Sequence, residues 1–507
     1  MNETLILTGF DLTTADVLRV ANGNVLVKFD DESLNRVRKS REIVLKFVKS
    51  DQKIYGLNTG VGQNKDTKIP PEQISSFNRN LIYSHLVAIG DFVPENHARA
   101  ALLIKLNSFL RGNAGVSEEI VHLILQLLNK QITPVMKATS SIGESDLGTL
   151  AFLGLVLIGE GNVFYKGQIR PTADVFNEKK LNPVKLGAKD ALSIVSSNAY
   201  SQALTVFAAQ EIQQLLTNTE LVYSLSLEAI DGNITPLVSY ATQAIDKSGY
   251  KIAAEKVLSN LTESYLLENH VRNSMQDPLS FRNFAAVSGA LYDALNYLTK
   301  IIANNLVISD ENPFVDLENE QIFSTCNYDT TNVALAFEMV NTALSQLARM
   351  SVFRTLKLGD SNFTSLPRFL SASENMLGFQ TLQKTAVRLE IQIQDLTNTA
   401  TNNFYPISSG IEDYATNLLL ILSKNSQILS HFNYILAIES LSAAQAVDLK
   451  NLKQLGWQTG QLYSTIRKNV PFLDTDRNLS ELVEKISQIF VKPAAAGNEA
   501  SLTSSQL

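Results

Sequence analysis

The chain contains a single cysteine, Cys326. One thiol excludes an internal disulfide framework and any cysteine-based metal cluster, and it suits a reducing cytoplasm. Histidine is also scarce. His85, His97, His122, His270 and His431 stand far apart without ligand-like spacing, so no metal site is expected. No dense Lys/Arg block occurs and the net charge is −7, which argues against nucleic acid as a partner. The longest apolar stretch, residues 150–158, is far shorter than the ~20 residues a membrane span needs. Met1-Asn2-Glu3-Thr4 does not open a basic segment followed by an apolar one, so no signal peptide is expected. Gly60-Val61-Gly62 lacks the following lysine of a phosphate-binding loop. There is no internal repeat and no Pro/Ser-rich linker.

What is present is material for a large core: 507 residues, 45% hydrophobic and 18% charged. Short β-like runs at residues 4–7 and 24–28 precede a charged helix at 34–48. From about residue 72 helical periodicity dominates. Leu291, Leu295, Leu298 and Ile302 recur at spacings of four, three and four, which puts them on one helix face. Residues 332–356 read the same way, and long helices with few prolines predict a bundle. Val163-Phe164-Tyr165-Lys166-Gly167 reads as half of a hairpin. The expected organisation is an N-terminal part over 1–200, a helix bundle over 201–490 and a small, polar, disordered tail over 491–507.

Two loops carry chemistry. Tyr55 lies among Gly56, Gly60 and Gly62, where a phenol serves as a general base if neighbouring cations or a helix N-terminus lower its pKa. The alternative is a turn with a half-buried tyrosine. Ser140-Ser141-Ile142-Gly143-Glu144-Ser145-Asp146-Leu147 stands before an apolar helix. Ser141-x-x-Glu144 fits a capping box, and Ser145 or Asp146 can cap a helix beginning near Leu147. Alternatively Glu144, Ser145 and Asp146 line a pocket, where a carboxylate at a helix N-terminus binds an amine or acts as a base.

These two segments resemble the aromatic amino acid ammonia-lyase family, which comprises histidine, phenylalanine and tyrosine ammonia-lyases and aminomutases. Tyr55-Gly56-Leu57-Asn58-Thr59-Gly60-Val61-Gly62 is similar to the family lid Y-G-x-N-T-G-F-G, whose tyrosine removes a proton from the substrate. Ser84-His85 matches a substrate-selectivity pair of that family. Gln276-Asp277-Pro278-Leu279-Ser280-Phe281-Arg282 resembles Q-D-x-Y-S-L-R, whose arginine binds the substrate carboxylate. Asp310-Glu311-Asn312-Pro313 resembles a D-N-P segment. Thr325-Cys326-Asn327-Tyr328-Asp329 stands for G-G-N-F-H, and Leu366-Pro367-Arg368-Phe369 for L-P-x-F. In Ile411-Glu412-Asp413-Tyr414, Glu412 matches an acid that meets the substrate amine. The resemblance implies a mainly α fold. It has the long central helix bundle of the fumarase/aspartase-like superfamily, a small α+β N-terminal part, and homotetramers whose active sites are shared between subunits.

The departures concern the cofactor. The family loop G-S-V-G-A-S-G-D-L condenses its Ala-Ser-Gly into a methylidene-imidazolone electrophile. Here Glu144-Ser145 stands for Ala-Ser and the glycine before Asp146 is missing. The cyclising nitrogen would belong to Asp146, whose Cβ crowds the compressed turn that glycine permits. Ser196 replaces an asparagine that holds the ring, Leu279 a catalytic tyrosine, and Ile411 a glutamine. The expectation is therefore no cofactor, with a ring built from Glu144-Ser145-Asp146 kept as the alternative. The implied catalytic set is Tyr55, Glu144, Ser145, Asp146 and Glu412. The implied binding set is Ser84, His85, Ser196, Gln276, Arg282, Asn327, Tyr328 and Arg368. Three functions stay open. One is altered chemistry on an amino acid or amino-acid-derived carboxylate. The second is ordinary ammonia release to give an α,β-unsaturated acid, and the third is a non-catalytic binding or regulatory role.

Overall fold

The computed structural model describes residues 3–23, 25–238, 248–268 and 275–491. The expected tail from residue 492 onward, and residue 24 of the second β-like run, lie outside them. The structure is mostly helical with few short strands, as the periodicity predicts. Two compact units are distinguished: Met1–Ala209 with Leu298–Phe337 and Thr399–Ser423, and Gln210–Tyr297 with Glu338–Asn398 and Lys424–Leu507.

The first unit begins with a parallel strand pair, Thr4–Leu7 and Leu26–Phe29, joined through the helix Thr14–Asn22. Thr13 starts that helix with a capping box, exchanging hydrogen bonds with Asp16 that satisfy two orphan backbone donors. The helix Asp31–Val48 is capped by Asp30 and carries Asp31 and Glu32 in its first turn, where the helix dipole favours negative charge. Its inner face contributes Ile43, Val44 and Phe47 to a core cluster that also holds Ile54, Leu57, Ile69 and Val315. That cluster anchors the loop around Tyr55.

The helix Glu95–Leu110 is buried on all sides, as is most of Leu147–Leu157. The half-hairpin read at residue 163 closes: Asn162–Tyr165 pairs antiparallel with Gln168–Pro171. Lys166 and Gly167 both take positive φ, +52° and +72°, in the two-residue turn.

The second unit is built from helices, among them Ser248–Asn260, Leu382–Leu396, Trp457–Asn469 and Leu479–Val491. The long helices Ala199–Ile230, Phe284–Asn305, Thr331–Leu358 and Leu418–Leu449 have residues in both units. Leu291, Leu295, Leu298 and Ile302 are all buried, which confirms the face read from their spacing. A fully buried ion pair sits in the second unit. Arg354 donates through Nε and Nη2 to the two oxygens of Glu439, at 2.5 and 2.8 Å. Ser226 and Ser351 donate to the same carboxylate, so the buried charge is fully bonded.

Candidate active site

The Tyr55 loop is held by its own backbone and by the core beneath it. Asn58 accepts from the Ile54 amide at 2.8 Å and donates to the Gln52 carbonyl at 2.8 Å, while Leu57 is buried below. Gly56 sits at φ +65°, and a Cβ there would lie 2.2 Å from the Leu192 side chain, so only glycine lets the loop approach that residue. Gly62 donates its amide to the Tyr55 hydroxyl at 3.0 Å and closes the loop over the phenol. Burial raises the Tyr55 pKa and nearby Glu412 adds to this, against the lowering effect of the Gly62 amide. The sequence condition for a base was neighbouring cations or a helix N-terminus beside the phenol. The surroundings found are anionic.

Opposite stands the loop at residues 140–146. Gly143 has φ +99°, and a Cβ there would lie 2.1 Å from Thr416 Oγ1. The Gly143 carbonyl accepts from Thr330 Oγ1 at 3.0 Å, and the Ile142 carbonyl accepts from the Asn417 amide at 2.7 Å. Ser145 is left-handed at φ +68°. The amide of Asp146 donates to the Ser197 carbonyl at 2.7 Å, and its carboxylate accepts from the Ser201 amide at 2.8 Å.

The expected capping box does not form. Asp146 is the residue preceding Leu147–Leu157, yet no side chain caps that helix. Ser141 Oγ donates to the Ser145 carbonyl at 2.7 Å and accepts from the Gly143 amide at 3.0 Å. The Asp146 carboxylate serves the first turn of a different helix, Ala199–Ile230. Both helix starts offer unpaired amides, and the Asp146 carboxylate is taken by the Ser201 amide of the distant one.

Between the two loops lies a cavity of about 570 Å³. Of the residues implied by sequence, Tyr55, His85, Glu144, Ser145, Ser196, Tyr328 and Glu412 line it. Asp146 lies behind the wall, 1% exposed. Ser84 is outside the lining, its hydroxyl turned back to the Leu81 carbonyl at 3.0 Å, and Asn327 is exposed and also outside. Gln276, Arg282 and Arg368 belong to the second unit and are not in the lining. There Arg282 donates to the Gln276 side-chain oxygen, and Arg368 lies over the Phe369 ring at 5.4 Å.

The lining also holds residues that the sequence did not single out as site residues, including Asn312, Cys326, Asp329, Asp413 and Tyr414. Asp329 was legible as an acid standing where the family motif has histidine. Asn312 lay in a motif already noticed. Thr331 donates to Asp329 Oδ2 at 3.0 Å and stands 2.9 Å from the Tyr414 hydroxyl, tying two walls together.

The cavity is acidic and aromatic. Burial, then Asp329 and Glu412, push the Glu144 carboxyl up to about 7. Glu144 Oε1 is shielded from solvent and has no hydrogen-bond partner among the described residues. Burial raises the Tyr328 phenol as well, with Glu144 contributing. Glu412 accepts from Ser408 Oγ at 2.7 Å. His85 Nδ1 lies 2.8 Å from the Leu81 carbonyl, a contact that requires a proton on Nδ1 and so leaves Nε2 as the acceptor of the neutral ring. Among the described residues no group of three or more His, Cys, Asp or Glu has metal-binding geometry, so these carboxylates do not converge as metal ligands do. A larger groove in the same unit, about 860 Å³, holds Arg38 and Glu118, paired with each other, and Arg41, paired with Asp190, in or beside its lining.

The arrangement sets a phenol on one wall and carboxylates on the other, with room between them for a ligand that carries positive charge. Among the described residues no helix is long and apolar enough to cross a membrane. Comparison with known proteins points the same way. Residues 12–468 match the model of the aromatic amino acid lyase family. The histidine ammonia-lyase of Myxococcus xanthus is 31% identical over 488 residues, 96% of each chain. The structure of an ergothioneine-degrading enzyme, ergothionase from Treponema denticola, solved with desmethyl-ergothioneine sulfonic acid, superposes with a TM-score of 0.94. It is 38% identical, covering 96% of this chain and 98% of that one. Phenylalanine aminomutase from Pantoea agglomerans gives a TM-score of 0.91 at 25% identity, over 97% and 99%. The chain belongs to the aromatic amino acid lyase family.

Proposed function

We propose that this chain is a lyase that eliminates a tertiary amine from a histidine-derived betaine of the ergothioneine type, without a methylidene-imidazolone. Tyr55, as phenolate, takes a proton from Cβ of the substrate. The electron pair of that C–H bond becomes the Cα=Cβ double bond. The Cα–N bond breaks with its pair going to nitrogen, which leaves as neutral trimethylamine. The organic product is the α,β-unsaturated acid. A quaternary nitrogen has no lone pair with which to attack an electrophile, and it already carries a good leaving group. The reaction therefore needs a base and a site for a cation, and no ring.

The observation that carries this is at Asp146. Ring closure requires its amide nitrogen to reach the Glu144 carbonyl. That amide instead donates to the Ser197 carbonyl at 2.7 Å, and the residue bears a Cβ and a buried carboxylate. The residues present do not fit the ring, and no step is routed through it. Likeness to the ergothionase supports the substrate class. The acidic, tyrosine-lined cavity suits a permanent cation, which is attracted by carboxylates and by aromatic faces. Such a cation also acts on Tyr55. Glu412 helps keep the phenol protonated, and bound positive charge offsets that effect. The protein acts in the cytoplasm as a homotetramer in which neighbouring copies complete each pocket. Arg282 from another copy then meets the substrate carboxylate. Ammonia release from histidine is the second reading, favoured by the 31% identity to a histidine ammonia-lyase over 96% of the chain.

The test is to incubate purified protein with ergothioneine and, separately, with histidine, assay trimethylamine and ammonia, and weigh the intact chain. Trimethylamine release by a chain of unmodified mass is expected. Ammonia release from histidine, together with a mass deficit of two waters that disappears in Ser145→Ala, would overturn the proposal.

A further inference from the structure

The segment that presents Glu144 to the cavity is fixed at both ends. On its N-terminal side, the Ile142 carbonyl accepts from the Asn417 amide and the Gly143 carbonyl from Thr330 Oγ1. On its C-terminal side, Asp146 makes two contacts in opposite senses. Its amide donates to the Ser197 carbonyl at 2.7 Å, and its carboxylate accepts from the Ser201 amide at 2.8 Å. The receiving end is itself held by a second acid. Asp310 Oδ2 accepts from Ser197 Oγ at 2.8 Å and from the Asn198 amide at 2.6 Å. Only Glu144 and Ser145 lie between the anchors, and the Ser145 carbonyl is pinned by Ser141 at 2.7 Å. The Glu144 side chain has one shielded oxygen without a partner, so backbone anchors, and not its own bonds, aim it.

We propose that Asp146 is a positioning residue: its two-point clamp on the start of the helix Ala199–Ile230 fixes the loop at residues 140–146 so that Glu144 faces the cavity. This rests on the reading that no ring closes in the loop, since a closed ring would fix the same atoms covalently. Asp146 touches no substrate and acts through Glu144. Loss of its carboxylate frees the Ser201 amide and lets the loop swing from Ser197. A loop free to swing presents Glu144 in several directions, which weakens any interaction between that carboxylate and a bound cation.

Two measurements on the full-length protein test this. The first is amide hydrogen exchange of residues 140–146, which needs no substrate. Asp146→Ala should speed exchange there roughly tenfold or more, while exchange in the helices of the second unit stays as in the wild type. Asp146→Asn keeps an acceptor oxygen for the Ser201 amide and should recover protection. The second is a double-mutant cycle on kcat/KM with Glu144→Gln, using whichever amine substrate the wild type eliminates. Asp146→Ala should lower kcat/KM by roughly tenfold or more alone and by under about threefold in the Glu144→Gln background, because both changes remove one interaction. Unchanged exchange at 140–146, or effects that multiply fully in the cycle, would overturn the clamp. Those outcomes differ from failure of the betaine reading, which shows as ammonia from histidine and a two-water mass deficit in the wild type.

Discussion

Asp146 also allows an electrostatic prediction that a single substitution isolates. Its carboxyl is pushed from the ordinary 3.8 up to about 7, first by burial and then, against the Ser201 hydrogen bonds, by the neighbouring Asp310. Between those two values the folded chain holds a proton that the unfolded chain has released. Stability then falls as pH rises, because the folded state binds more protons than the unfolded state. With these two pKa values the loss from about pH 5 to about pH 8 is roughly 2.5 kcal/mol. Asp146→Asn removes the titration and keeps the shape. Unfolding free energies of wild type and Asp146→Asn, measured in urea across that range, should diverge by about this amount, with the variant gaining relative to wild type as pH rises. Titrating groups that do not interact with Asp146 cancel in the difference. A difference that is flat within about 0.5 kcal/mol, or that runs in the other direction, would refute the burial argument.

Tyr55→Phe removes the proposed base and should lower kcat by roughly 10²–10⁴ while the binding of a non-reacting substrate analogue changes little, a split that single-turnover kinetics and equilibrium binding resolve. Gly143→Ala places a Cβ 2.1 Å from Thr416 Oγ1 at φ +99°, so Thr416 must move from Thr330, 2.6 Å away. A cost of about 2–3 kcal/mol in unfolding free energy and a loss of turnover are expected, and unchanged stability in a urea titration would contradict the geometry. Arg354→Ala strands the Glu439 carboxylate in the second unit and should cost about 3–5 kcal/mol, whereas replacing both partners by apolar residues of similar volume should cost far less. Size-exclusion chromatography with light scattering checks the assembly, with four chains expected.

The parts of this molecule that could be read from sequence are those decided by local rules. Helix positions followed from apolar spacing, since Leu291, Leu295, Leu298 and Ile302 share a face whatever lies against it. The hairpin at Asn162–Tyr165 followed from alternation into a Lys166-Gly167 turn. The Tyr55 loop followed from its glycines, one of which has no room for a Cβ beside Leu192. The parts that could not be read are decided by competition across distance. Ser141 and Glu144 have the spacing of a capping box, but spacing says nothing of the rival helix start at Ser201 that takes the Asp146 carboxylate. Ser84 and Asn327 adjoin His85 and Tyr328 in sequence, yet adjacent side chains point in different directions, and only His85 and Tyr328 line the cavity. Asp329 gives the clearest case. Its motif position marked a change from histidine to an acid, and what makes the change matter is its proximity to Glu144, 185 positions earlier in the chain. An acid that raises the pKa of another acid is informative only once both are seen at one cavity. The loss of the loop glycine, by contrast, was visible at once. At that place the Asp146 amide is directed at Ser197, and this joins the missing glycine to the chemistry proposed here.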